Sequence, residues 1–129
     1  MNLKTHLAID RELCGEVIEL KDGYAKVKLA TTKRMAADEV GLVHGGFTFG
    51  AADFAAMAAI NDPYVVLVSA KVDFLAPVVV GQEVIFDAHV VEKEGKRGLV
   101  EVVGRVGGKE VFKGTFSTYL PKHHILCRD

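Results

Sequence analysis

"VHGGFTFGAADFAAMAAIND", Val43 to Asp62, is the stretch on which the fold turns. Between Gly45 and Ile60 it holds six alanines, three phenylalanines, one methionine and one isoleucine. Alanine, methionine and phenylalanine in a run this long predict a helix from about Gly46 to Ile60. A helix that is apolar nearly all round has to be wrapped by other structure. Thr48 and Asp53 are its only polar side chains. Phe49, Gly50, Ala56 and Met57 are the helical neighbours of Asp53, and none can pair with a carboxylate. Asp53 also lies too far from the helix start to cap it. A buried, unpaired carboxylate costs several kcal/mol or shifts its pKa upward until it neutralises. Two readings follow. Asp53 is a structural acid, bonded to a neighbouring strand or lying at a wet interface. Alternatively it is aimed into a pocket as a general base or nucleophile.

On either side of this segment the pattern changes to period two. "CGEVIELKDGYAKVKLATT" reads as a hairpin turned at "KDG". Ala25, Val27 and Leu29 alternate there with Tyr24, Lys26 and Lys28, as in a strand with one wet face. The first ten residues read as a short helix or an arm, and "KRMAADEVGLVHGG" as irregular chain with a short turn. After "NDP", the residues Tyr64, Val66, Val68, Ala70, Val72 and Phe74 form one apolar face, with Ser69, Lys71 and Asp73 on the other. Pro77 ends that strand or marks a bulge. "GQEVIFDAHVVEKEGKRGLVEVVGRVGGKEVFKGTFSTYL" supplies three more strands, with turns at "KEGKRG" and "VGGKE". The order β-β-α-β-β-β-β indicates a single α+β domain over residues 1–129, with one buried helix and an antiparallel sheet of about six strands curled around it. Its β-branched edges call for a covering, and pairing across a twofold axis supplies one. At least a dimer is expected.

Composition narrows the function classes. The chain has 129 residues, half of them hydrophobic, and a formal net charge of −1. Its basic residues are scattered, which argues against nucleic acid as a partner. No apolar run reaches the roughly 18 residues of a membrane span, and none follows a basic start as in a signal peptide. Cys14 and Cys127 lie near opposite ends, without metal-type spacing, and read as two free thiols in a cytoplasmic setting. His123, His124 and Cys127 lack the further ligands that a metal centre needs, so no metal is expected.

The helix start carries a second piece of chemistry. Gly45 and Gly46 let the backbone approach a ligand closely, and the first-turn N–H groups carry partial positive charge. Such groups can hold a developing oxyanion; a tight turn into a helix is the plainer reading of the same pair. His44 just before them is either structural or a proton carrier. Gly45 and Asp53 are eight residues apart, about 12 Å along a helix axis. That is too far for both to flank one carbonyl carbon in the same chain. Antiparallel helices across a twofold axis let Asp53 of one chain face Gly45 of the other, giving two equivalent sites per dimer.

"HGGFTFGAAD", with an acid eight residues after the first glycine, resembles the hotdog-fold acyl-CoA thioesterases, particularly the phenylacetate-degradation type. "VDFLAPVVVGQEV", Val72 to Val84, is similar to that family's strand, proline and glycine block. The resemblance covers roughly Gly41 to Tyr119. It implies a hotdog fold, one long central helix swaddled by antiparallel sheet, as a homodimer or a dimer of dimers. It implies an acyl-CoA substrate, with coenzyme A not retained as a cofactor and its pantetheine arm between subunits. It assigns the Gly45 N–H to the thioester oxygen and Asp53 of the opposing subunit to attack or to water activation, with His44 shaping the site. Asn61 falls where such proteins often carry Asn, and Gly46 belongs with the substrate-binding backbone. There are departures: Asp38, beside Glu39, stands where the family often has Asn or Gln. Lys71 replaces a small hydroxyl residue and is either a contact to a phosphate or acidic acyl group, or a solvated strand residue. Ser69 and Thr48 are secondary polar candidates. Phe47, Phe49, Phe54 and Met57 line either a pocket or the core. Two rival functions remain: a hydratase or dehydratase of acyl thioesters, for which a His near Asp53 is lacking, and a non-catalytic acyl-CoA sensor.

Overall fold

Turn chemistry and alternation fold much of the chain into six strands. The structure is a computed structural model and describes residues 1–127. Asp10 caps a single helical turn, α1 (Arg11–Cys14), by accepting from the N–H groups of Glu12 and Leu13. The predicted hairpin follows as β1 (Glu16–Lys21) and β2 (Tyr24–Ala30), with Gly23 at φ +73° in its turn. A 3₁₀ turn, Lys33–Met35, interrupts the irregular segment before the long helix α2 (Gly45–Ile60). Four strands complete the chain: β3 (Val66–Phe74), β4 (Glu83–Glu94), β5 (Arg97–Val106) and β6 (Lys109–Tyr119).

All six strands form one antiparallel sheet in the order β1-β2-β4-β5-β6-β3, curled around α2 as in the hotdog fold. α2 packs chiefly on β2 and β4. Ala51, Ala52, Ala55, Ala56 and Ala59 bring its backbone close to Val27, Leu29, Val84, Phe86, Val100 and Val102, all of them buried. Phe112 and Phe116 fill the space toward β6 and are fully enclosed. Full burial of each such ring stabilises the fold by roughly 1.5–3 kcal/mol. α2 ends at Asn61, which takes the left-handed conformation (φ 54°, ψ 48°) and donates its N–H to the Met57 carbonyl.

β3 departs from expectation. It starts at Val66 rather than Tyr64, and its register shifts between Leu67 and Ser69, so Val68 bulges. The apolar face foreseen for it is only partly covered: Val68 is 53% and Phe74 54% exposed. The reason is position. β3 lies at the sheet edge, and α2 sits over the opposite half of the sheet.

Candidate functional site

The chain just ahead of α2 is held on three sides. The backbone N–H groups of Val40, Gly41 and Leu42 all donate to Asp38 Oδ1, at 3.0, 3.0 and 3.1 Å. The Val43 N–H donates to the Val78 carbonyl and the His44 N–H to the Met35 carbonyl, both at 2.8 Å. Phe47 donates back to the His44 carbonyl at 3.0 Å. The N–H groups of Gly45 and Gly46 find no acceptor among the described residues. They stand at the positive end of a sixteen-residue helix. The exposed His44 side chain makes no capping hydrogen bond. Its ring instead folds back over Gly46, where a Cβ would sit 2.8 Å from Nε2. A Cβ on Gly45 would lie 3.2 Å from the Phe74 ring. A side chain at Gly45 would press on the Phe74 ring, and one at Gly46 would displace the exposed His44 ring.

Asp53 lies two turns further along α2, half-buried. Its Oδ1 is buried and has no hydrogen-bond partner among the described residues. Burial alone pushes its pKa up from 3.8 to about 6. α1 contributes to that environment: burial raises the Cys14 thiol, and the charges of Asp10 and then Asp53 add to the rise. The helix is continuous from Gly45 to Asp53, so the separation of about 12 Å along one axis holds. A free carboxylate and free amides thus occur on the same helix, at a distance that prevents one chain from applying both to one carbonyl.

The other candidates are spread out. Asn61 anchors the amino-terminal arm: its Oδ1 accepts from the Lys4 N–H at 2.7 Å and its Nδ2 donates to the Asn2 carbonyl at 2.9 Å. Thr48 is buried on α2. Ser69 and Lys71 pair with Ser117 and Thr115, on the sheet face opposite the helix, because Ala70 and Val72 between them face Phe116 and Gly114 on the inner side. Both are exposed. Phe49 turns to Phe116 with ring centroids 5.6 Å apart. Phe54 stacks on His6 at 6.0 Å. Phe54 also borders a cleft of about 440 Å³ under the amino-terminal arm and β1, about 100° around the helix from Asp53. Among the described residues no cluster of His, Cys, Asp and Glu could hold a metal ion.

Sequence reasoning missed two neighbours of the site. Phe74, foreseen only as a strand residue, packs on Gly45 and marks the carboxyl end of β3 as a wall beside the helix start. The approach of α1 to Asp53 carried one legible signal, Asp10 as a cap two residues before Glu12, but nothing local said where that turn would dock.

Comparison with known proteins puts this arrangement in a family context. The family model of the thioesterase superfamily matches residues 40–113. The chain is 50% identical over 118 residues to a methylthioribose-1-phosphate isomerase of Aquifex aeolicus, covering 92% of this chain but 26% of that protein. It is 35% identical over 119 residues to the transcription factor FapR of Bacillus velezensis, covering 90% of this chain and 63% of FapR. The chain thus spans between a quarter and two thirds of these two relatives. Among solved structures, the uncharacterized protein PH1136 from Pyrococcus horikoshii superposes with a TM-score of 0.97 at 45% identity, over 98% of both chains. The PaaI protein of the Escherichia coli phenylacetic acid degradation operon shares the fold at a TM-score of 0.75 and 24% identity, over 81% of this chain and 82% of that one.

Proposed function

The chain belongs to the thioesterase superfamily, and from that premise we propose that it hydrolyses an acyl-CoA thioester to the free acid and coenzyme A. The observation that carries the reading is the Asp53 carboxylate, half-buried, without a partner and held near pKa 6. An acid kept in that condition by its surroundings suits proton transfer near neutral pH. In the proposed site, the Gly45 N–H of one subunit donates to the thioester oxygen. Asp53 of the opposing subunit lies on the other side of the carbonyl carbon. As a base, Asp53 takes a proton from water while the hydroxyl oxygen bonds to carbon. The C–S bond then breaks, and the thiolate leaves with a proton. As a nucleophile, Asp53 forms a mixed anhydride with loss of the thiolate, and water cleaves it. Hydrolysis in ¹⁸O-water under single turnover tests the second route: label in Asp53 establishes an anhydride cleaved at the Asp53 carbonyl carbon, whereas the first route labels only the product acid.

His44 and Gly46 shape the donor end of the site. Asp38 holds the loop that presents Gly45, and Asn61 secures the arm across α2. Ser69 and Lys71, on the far sheet face, take no part in this scheme. The phenylacetate-type substrate class is one candidate among short, medium, long and aromatic acyl groups, and a thiol-release screen across those classes ranks them. The relatives named as transcription factors favour a second reading, in which this domain binds an acyl-CoA without turning it over. Binding without thiol release across the screen would establish it in place of hydrolysis.

Complementation tests the two-subunit site. Gly45→Pro removes the donor N–H at the first helical position, where proline is accommodated. The residue before it, His44, already has the extended backbone (φ −63°, ψ 129°) that precedes proline. Gly45→Pro and Asp53→Asn homodimers should each lose about 10²–10³-fold in kcat. Mixed after unfolding and refolding together, they form heterodimers with one intact site each, and activity should return to about a quarter of wild type. No recovery in a confirmed heterodimer would place both groups in one chain's site.

A further inference from the structure

Glycine inside a helix is less favourable than alanine, so each helical glycine calls for a reason. Of the thirteen glycines, seven take positive φ, a conformation that side chains resist. At five more a Cβ would crowd a neighbour: Gly45 against Phe74, Gly46 against His44, Gly98 against Thr118, Gly104 against Phe86 and Gly114 against Val72, at 2.6–3.2 Å. Gly50 is the exception. It lies inside α2, has no positive φ, and a Cβ there would meet nothing within 4 Å. Nothing among the described residues requires glycine at this position.

Its location supplies a reason. Gly50 is one turn before Asp53, at the i, i+3 spacing that puts both on one face of the helix. Gly46 lies one turn earlier on that face. The backbone between the His44 ring and the Asp53 carboxylate is therefore bare over about 10 Å. Of the large side chains that adjoin it, Phe47 lies edge-on to the His44 ring, Phe49 is turned onto Phe116 and Phe54 stacks on His6. The bare strip runs to a carboxylate whose Oδ1 is buried and unpartnered.

We propose that Gly50 is a specificity-determining residue: the substrate's acyl carbons next to the thioester lie against its bare backbone, beside Asp53. This deepens the thioester reading and rests on it. A side chain at position 50 would fill the space reserved for those carbons. The effect should grow with the bulk of the acyl group near the carbonyl and spare coenzyme A itself.

The test compares wild type with Gly50→Ala and Gly50→Leu by three readouts. These are thermal unfolding, solution mass by light scattering, and both turnover and calorimetric binding of acyl-CoA substrates and their non-hydrolysable thioether analogues. Gly50→Ala should fold, gain about 3 °C in Tm from helix propensity and keep the wild-type mass. It should lose about tenfold or more in kcat/KM and in analogue affinity for aromatic or branched acyl groups, with a smaller loss for acetyl. Gly50→Leu should extend the loss to acetyl. Unchanged kinetics and binding in Gly50→Ala would overturn the inference. So would an equal loss of affinity for coenzyme A alone, or a change of mass, which would assign the space to the pantetheine arm or to the partner's helix. Wild-type protein that neither binds nor cleaves any acyl-CoA would instead remove the thioester reading, and this inference with it.

Discussion

At the residue scale, Asp53 sets function against stability. Its carboxyl is held near pKa 6 in the fold against 3.8 when free, because burial disfavours the charge. A raised carboxyl pKa means that the folded state binds the proton more tightly. The stabilising contribution is therefore complete below about pH 4 and is lost as pH rises through about 6. At pH 7 the ionised form costs about 2 kcal/mol, allowing for partial solvent access. Asp53→Asn should then raise stability at neutral pH by about 1–2 kcal/mol, flatten the stability profile between pH 4 and 6, and lower kcat by about 10²–10³-fold. Urea titrations across pH, run beside thiol-release kinetics, measure both. In wild type, kcat/KM should climb as pH rises through about 6, as Asp53 becomes available as a base. A pH-independent rate between 5 and 7 would remove Asp53 from proton transfer.

At the element scale, β3 is the part of the fold least satisfied by its own chain. It is an edge strand, and Val68 and Phe74 on it and Leu75 just after it are about half exposed. Exposed edges with apolar residues invite pairing with another strand, and β3 ends against the helix start that bears the free amides. Pairing of β3 with its twofold copy would cover these residues and bring Asp53 of one chain toward Gly45 of the other. Lysine on such an edge opposes pairing. Val68→Lys should therefore give a folded monomer with unchanged far-ultraviolet circular dichroism and no thioesterase activity. Full activity in a monomer of confirmed mass would separate the site from the interface. The other edge, β1, borders the cleft under the amino-terminal arm. The amino-terminal arm lies over α2 nearby, tied down by Asn61.

At the scale of the whole molecule, catalysis and assembly are one equilibrium if each site draws on two chains. Specific activity should then fall on dilution below the dimer dissociation constant, along the same curve as mass measured by light scattering. Activity independent of concentration while the mass halves would contradict the shared site. Much of this architecture was legible in the residues. Period-two alternation and the "KDG", "KEGKRG" and "VGGKE" turns located the strands, and the alanine-rich run located α2 to within one residue of its start. Those features are local, and local preference decides them.

The sequence by itself also determined the chemistry on offer: two free amides at a helix start and one acid eight residues on, which a 1.5 Å rise per residue keeps about 12 Å apart. Only the tertiary structure decided which of the candidate polar groups share that side of the sheet. Strand alternation, a local pattern, sets Ser69 and Lys71 opposite Ala70 and Val72, and the docking of α2 decided that their face is the uncovered one. Asp38 and Asn61 were taken up in holding backbone. The packing of α2 likewise decided that Asp53 is left without a partner and that Gly50 faces open space. The physical reason is that burial and contact come from residues far apart in the chain, which no local pattern encodes.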